Sequence, residues 1–205
     1  MSQINSLDLS ISPQAFFHER VSSASHNLNI KLDADVEFYV VNLLIEFINP
    51  AKVNEEFDTD VLGTPLVMLL KQTIEAPELK RPSMYRRLGD TSLYISGFFQ
   101  DYFNDKAFDI NYFITMGASA YYQAASLSRS LGKDHQKPDT LEQISDKFVQ
   151  LVDIVAQASD GSRTAKDTDL LSLYDRWNRT GSDRLKSILL ENGITPVSTP
   201  FKIAQ

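Results

Sequence analysis

Aromatic rings and glycines crowd one stretch in the middle of the sequence, and these residue types could form a ligand site. Ten Phe and Tyr residues fall between positions 94 and 122. Tyrosine hydroxyls supply the few polar groups that an apolar pocket needs, and glycine leaves space beside the backbone. If that space is open, the stretch forms a pocket wall; if a neighbouring helix fills it, the rings form a packed core, which we favour. The candidate ligand-binding residues are Tyr94, Gly97, Tyr112, Gly117 and Tyr121.

Three arginines form a second candidate site. Arg81, Arg86 and Arg87 precede Gly89 and Asp90, where we expect a helix to begin with Asp90 as its N-cap. Unpaired backbone amides and the helix dipole favour anions at a helix N-terminus, so arginines there could hold a phosphate or a carboxylate. The alternative, which we favour, is a basic cluster that pairs loosely with the acidic front of the chain.

A third candidate is the only tryptophan, Trp177, which stands between Arg176 and Arg179. Tryptophan and arginine are the residue types that most often anchor a protein partner. Trp177 also follows Tyr174 and Leu170 at helical spacing, which favours a half-buried position on a helix. The sequence therefore offers a partner-binding anchor and, as the preferred alternative, a packing residue.

Common catalytic signatures are missing from the sequence. It contains no GxGxxG, GxxxxGK(S/T), GxSxG or HExxH motif, and it has no cysteine to act as a nucleophile or a metal ligand. We therefore expect a non-catalytic binding or regulatory protein that acts through contacts with a protein partner or by self-association, without a cofactor. The alternative is a helical protein, or an enzyme, with a small-molecule pocket.

The stretch LGDTS, residues 88–92, resembles the LGDxS start of the distal-helix motif of haem oxygenases. That family is all-α, and the resemblance implies a proximal histidine in an N-terminal helix, a role that His18 would take with haem as cofactor. Where the family continues with paired glycines that let haem approach the backbone, this chain has Leu93 and Tyr94. A haem-oxygenase-like function is thus the sharpest form of the pocket alternative.

Charge is distributed unevenly along the chain. Residues 1–79 contain 12 acidic and 4 basic residues, whereas residues 80–205 contain 15 acidic and 16 basic ones. Nucleic-acid binding depends on clustered cations that neutralise phosphates, so a sequence pI near 4.9 argues against a nucleic-acid partner. The N-terminus does not read as a signal peptide, and we expect a soluble, cytoplasmic protein.

Helical periodicity recurs along the chain and predicts an all-α fold. We expect one domain over residues 1–205, a bundle of about six to eight helices, with an extended C-terminal tail from about residue 194. The core is expected to come mainly from residues 36–48, 93–103 and 110–127. The first of these segments carries charge and is shorter than the about 20 apolar residues that a membrane span needs.

Local capping signals predict where several helices begin. Ser12 before Pro13 is typical of a helix start, and Asp109 is a second predicted N-cap. The segment that contains Pro77 and Pro82 is predicted to be a connection, because proline removes a helix hydrogen bond.

Overall fold

The structure, a computed structural model, describes residues 12–48, 64–98, 109–159, 177 and 181–191. Within these residues the chain forms eight α-helices and no strand, which confirms the predicted all-α bundle. The helices are α1 Pro13–Asn27, α2 Ala34–Ile48, α3 Leu66–Glu75, α4 Arg81–Phe98, α5 Ile110–Ser130, α6 Pro138–Asp146, α7 Phe148–Ser159 and α8 Asp183–Glu191. Short 3-10 turns, Glu78–Lys80 and Asp134–Gln136, precede α4 and α6.

Two predicted helix starts are confirmed by their caps. The Ser12 hydroxyl accepts a hydrogen bond from the Ala15 amide at 3.2 Å, and Pro13 opens α1. The Asp109 carboxylate accepts one from the Asn111 amide at 2.9 Å at the start of α5. Each cap satisfies one of the backbone amides that a helix N-terminus leaves without an intrahelical partner.

The predicted start of α4 at Asp90 is wrong. The helix begins at Arg81, and Asp90 lies in its interior. Pro82 falls in the first turn, where the missing proline amide removes no intrahelical hydrogen bond. The predicted connection therefore extends only to Lys80, and the arginine cluster lies within the helix and not before it.

The core forms where α4 packs between α5 and α7, with α1 and α2 completing it. A β-carbon placed on Gly117 would lie 2.2 Å from Phe148 Cζ, and one placed on Gly97 would lie 2.5 Å from Val155 Cγ1. Protein atoms therefore fill the space beside both glycines, as the core interpretation requires. α7 contributes a buried face that the predicted core segments did not include.

The C-terminal part of the described chain forms a small apolar cluster. Trp177 is only 8% exposed and packs with Leu185 and Leu189. This burial agrees with the preferred packing role, and partner binding through Trp177 stays a prediction. Arg176, Arg179 and the predicted tail from residue 194 lie outside the described residues.

None of the helices described in the structure is long and apolar enough to cross a membrane.

Candidate functional site

A nearly buried carboxylate is the centre of the candidate site. Asp90, in the middle of α4, is only 4% exposed. Its Oδ1 accepts a hydrogen bond from the Tyr39 hydroxyl at 2.5 Å and another from the Tyr121 hydroxyl at 2.7 Å. A carboxylate out of water is costly unless hydrogen bonds replace its hydration, and the two tyrosines supply that replacement. The contact joins α2, α4 and α5.

Gly89 explains how Tyr121 reaches Asp90. A β-carbon at Gly89 would lie 2.9 Å from Cγ and Cδ2 of the Tyr121 ring, which is closer than real atoms pack. Because glycine has no side chain, the ring lies directly against α4, and its hydroxyl reaches the carboxylate on the next residue. The same ring contacts Tyr39 edge-on, with centroids 6.0 Å apart.

Arg86 lies one helical turn before Asp90 and links the carboxylate to Tyr39. Its Nε donates a hydrogen bond to the Tyr39 hydroxyl at 3.0 Å and lies 3.7 Å from Asp90 Oδ2. The guanidinium also lies over the Tyr39 ring, 5.2 Å from its centroid. Tyr39 and then Asp90 raise the pKa of Arg86, so the guanidinium remains cationic.

Both tyrosines remain neutral hydrogen-bond donors. Burial, followed by the charge of Asp90, raises the pKa of Tyr39 and of Tyr121 well above the ordinary tyrosine value. A buried hydroxyl with a raised pKa gives up its proton only under alkaline conditions. The arrangement is therefore a fixed series of hydrogen bonds in which Arg86 donates to Tyr39 and Tyr39 donates to Asp90.

A second ion pair lies beside this series of hydrogen bonds. The Nη1 of the buried Arg87 donates to Glu46 Oε1 at 2.8 Å, and the guanidinium lies 4.8 Å from the centroid of the Phe47 ring. Burial raises the pKa of Glu46, and the positive charge of Arg87 offsets part of that rise. The pair anchors α2 to α4 on the wall of the site.

A pocket of about 190 Å3 lies between α2, α4 and residues 135–141, and its lining includes Tyr39, Glu46, Arg86 and Asp90. Phe38, Leu43 and Leu141 give it an apolar surface, and Phe38 is exposed at the protein surface. An ion pair between Lys137 and Asp35, 2.9 Å apart, contributes to the lining. The titratable residues in the lining are Asp35, Tyr39, Glu46, Arg86, Asp90, His135 and Lys137.

A wider depression of about 820 Å3 lies between the turn after α1, helices α6 and α7, and α8. Its buried carboxylate, Asp153, accepts a hydrogen bond from the Ser182 hydroxyl at 2.6 Å. Its Lys147 donates to the carbonyl of Lys31 at 3.0 Å. We place the candidate site at Asp90 instead, because there a buried carboxylate and a cationic arginine line the same pocket.

The five predicted ligand-binding residues do not form a common site in the described part of the chain. Tyr94 stacks between Phe47 and Phe98, with centroids 4.5 Å and 5.0 Å away, and Tyr112 is 42% exposed. The Tyr121 hydroxyl donates a hydrogen bond to Asp90, and protein atoms fill the space beside both glycines. None of the five lines either of the two described pockets.

The three predicted anion-binding arginines are also separated. Arg81 donates from Nε to the carbonyl of Ala76 at 2.9 Å, and Arg87 is buried against Glu46. Of the three, Arg86 lines the pocket.

Sequence reasoning missed Tyr39 and Glu46 as site residues and assigned Asp90 to a cap. The four-residue spacing of Arg86 and Asp90, with Gly89 between them, was the available signal.

The residues that carry the haem oxygenase resemblance lie in different surroundings. The side chain of His18 is 67% exposed, with Nε2 3.8 Å from Glu37 Oε1. The Tyr121 ring covers Gly89, so that glycine does not offer an open backbone surface to a haem. The described residues include no group of three or more His, Cys, Asp or Glu side chains placed to hold a metal ion. Haem binding stays a prediction.

Comparisons with protein-family models, with curated proteins and with solved structures return no match for this chain. The function must therefore be argued from the geometry around Asp90.

Proposed function

We propose that the protein is a non-catalytic binding protein that takes a small polar organic ligand into the pocket over Asp90. One observation carries the proposal: a nearly buried carboxylate, held on one oxygen by two tyrosines, lines a pocket together with a cationic arginine. Small-molecule sites commonly combine an apolar wall with a few fixed polar groups. Phe38, Leu43 and Leu141 supply that wall.

The size of the pocket limits the ligand. Sites for drug-sized molecules have volumes of roughly 300–1,000 Å3. The pocket over Asp90, at about 190 Å3, holds the equivalent of about six water molecules at ~30 Å3 each. The proposed ligand is accordingly a small metabolite or the end of a longer molecule that projects past the exposed Phe38.

The protonation states of Tyr39 and Tyr121 support binding more than proton transfer by these two residues. A general base must accept a proton near the working pH, and a nucleophile must be activated. Tyr39 and Tyr121 have raised pKa values and already donate their protons to Asp90, so neither meets these requirements. Fixed donors and acceptors of this kind orient a ligand without reacting with it.

Contact with a protein partner, self-association and a cytoplasmic location stay predictions. Trp177, one of the features that motivated the predicted partner contact, is buried beside Leu185 and Leu189. An interaction with a protein partner at another surface is compatible with the pocket. A ligand that changes the packing of α2 against α4 could also change the affinity of that surface for the partner.

A small-molecule screen tests the proposal. Native mass spectrometry of the full chain should reveal copurified ligands, and thermal melting with a library of small metabolites should reveal compounds that raise Tm. A pocket-filling variant, Asn42→Trp, places a ring in the lining and should abolish the shift. Tyr122→Trp is the matched control, since Tyr122 is exposed on α5 and does not line the pocket.

The contrasting result is equally clear. If no compound raises the Tm of the wild-type protein, or if Asn42→Trp retains the full shift, the pocket is not a ligand site and the proposed function is wrong.

A further inference from the structure

We propose that the ligand carries an ammonium and a carboxylate on neighbouring atoms, as an α-amino acid does, and that Asp90 and Arg86 bind these two groups. This inference rests on the proposed function and specifies the ligand class for the same pocket. It follows from a hydrogen-bond acceptor on Asp90 and hydrogen-bond donors on Arg86 that no described residue uses.

The unused acceptor is Asp90 Oδ2. Both tyrosine hydroxyls bind the other carboxylate oxygen, Oδ1. Oδ2 lies 3.7 Å from Arg86 Nε, which is beyond hydrogen-bond distance, and it accepts no hydrogen bond from any residue that the structure describes. An anionic oxygen in a pocket is matched by a cationic donor, because charge-assisted hydrogen bonds are about twice as strong as neutral ones.

The unused donors are on Arg86. Its Nε is bound to the Tyr39 hydroxyl, whereas Nη1 and Nη2 have no hydrogen-bond partner within the described ranges. A guanidinium presents its donors in a planar fork that fits a carboxylate on two atoms. The cation–π contact with Tyr39 and the Nε hydrogen bond fix the plane of that fork in advance.

Three other side chains of the lining, Asp35, Glu46 and Lys137, already have ion-pair partners. Lys137 pairs with Asp35 at 2.9 Å, and Glu46 pairs with Arg87 at 2.8 Å. Arg86 and Asp90 also attract each other, with Nε and Oδ2 3.7 Å apart, but each keeps hydrogen-bonding groups that no described residue uses. A simple amine would be repelled by Arg86, and a simple carboxylate would be repelled by Asp90. A ligand with both charges avoids each repulsion.

The distance between the two groups sets the distance between the ligand charges. Arg86 and Asp90 are one turn apart on the same face of α4, and their nearest charged atoms are 3.7 Å apart. Two charged groups on the same or adjacent carbon atoms of a ligand match that separation. The remaining volume, beside Phe38, Leu43 and Leu141, is suited to a short apolar substituent.

The first experiment measures ligand class. Each standard L-amino acid is tested for binding to the full chain by thermal shift and calorimetry. The best binder is then compared with its analogue lacking the carboxylate and its analogue lacking the amine; for L-valine these are isobutylamine and isovalerate. We expect each analogue to bind about ten- to a hundredfold more weakly, because each loses one charge-assisted contact.

Two variants assign the contacts. Asp90→Asn keeps an oxygen for the tyrosines but replaces Oδ2 with a neutral amide, and Arg86→Met keeps side-chain length without the guanidinium. We expect both to lose amino-acid binding. Asp90→Asn should bind the carboxylate analogue at least as well as wild type does, and Arg86→Met should do the same for the amine analogue. A general loss of structure would not produce this crossed pattern.

The outcomes separate the two proposals. If a neutral compound, a simple amine or a simple carboxylate binds better than any amino acid and Asn42→Trp blocks it, the pocket is a ligand site and the inference about ligand class is overturned. If the two variants affect all three compounds equally, the assignment to Asp90 and Arg86 is overturned. If no small molecule binds, the proposed function itself is wrong.

Discussion

Replacing Gly117 with alanine tests the packing on which the fold depends. The glycine lies on α5, where α4 and α7 both approach it. A β-carbon there would lie 2.2 Å from Phe148 Cζ, 2.6 Å from Phe148 Cε2 and 2.8 Å from Ser92 Cβ. Phe148 is fully buried, so its ring is packed among core residues and can move only if they shift as well.

The expected cost is the difference between two effects. Adding a methyl group to a well-packed core costs typically about 1–3 kcal/mol, and contacts this short place Gly117→Ala near the upper end. Alanine is also a better helix former than glycine, which returns about 1 kcal/mol. The net loss is therefore about 2 kcal/mol, which lowers Tm by about 4–8 °C for a domain of this size.

Urea unfolding followed by circular dichroism measures the loss. Ser119→Ala is the matched control, because Ser119 is exposed on the same helix and its replacement should leave stability nearly unchanged. Phe148→Leu shortens the obstructing ring, so Gly117→Ala should cost less in that background than in wild type, as a double-mutant cycle would show. A Gly117→Ala variant as stable as wild type or more so, with no coupling to Phe148, would refute the packing described for α5 and α7.

Three further predictions concern the site and the C-terminal cluster. Folded Tyr39 and Tyr121 have raised pKa values, so their stabilisation is complete below about pH 10, where the unfolded residues titrate, and is lost as pH rises towards the folded pKa values. Each tyrosine should lower the unfolding free energy by about 1.4 kcal/mol per pH unit in that window, and the Tyr39→Phe/Tyr121→Phe variant should show a shallower decline in urea melts. Gly89→Ala should lower Tm because its methyl group displaces Tyr121 from α4; an unchanged Tm would contradict the contact. Trp177→Ala should cost about 3 kcal/mol in urea unfolding, whereas a near-neutral result would mean that Trp177 does not pack with α8.

Helix starts that depend on local chemistry could be predicted from the sequence. Ser12 and Asp109 bind amides two or three residues ahead, so the cap and its partners lie within one short segment. The start of α4 was missed because proline is compatible with two opposite structures. Pro82 would break a helix interior, but it is accommodated in a first turn, and the choice between these depends on the helix that follows.

The packing around the glycines could be predicted only in part. Periodicity identified the face of α5 that carries Gly117, but it does not identify what lies opposite. Phe148 and Val155, which fill the space beside Gly117 and Gly97, belong to α7. Their position depends on how α7 docks against α4 and α5, and that is a tertiary property.

The site could not be predicted because α4 buries small polar residues whose hydroxyls are satisfied locally. Thr91 donates to the carbonyl of Arg87, and Ser96 donates to that of Ser92, so both can be buried without partners from other helices. Asp90 differs, because a carboxylate accepts hydrogen bonds and the amides in a helix interior are already used. Its donors must come from elsewhere, and Tyr39 and Tyr121 supply them from α2 and α5. A carboxylate in the interior of a buried helix therefore requires partners that are distant in sequence. Since both tyrosines bind Oδ1, the same requirement that holds three helices together leaves Oδ2 without a hydrogen bond from any described residue, as the proposed ligand site requires.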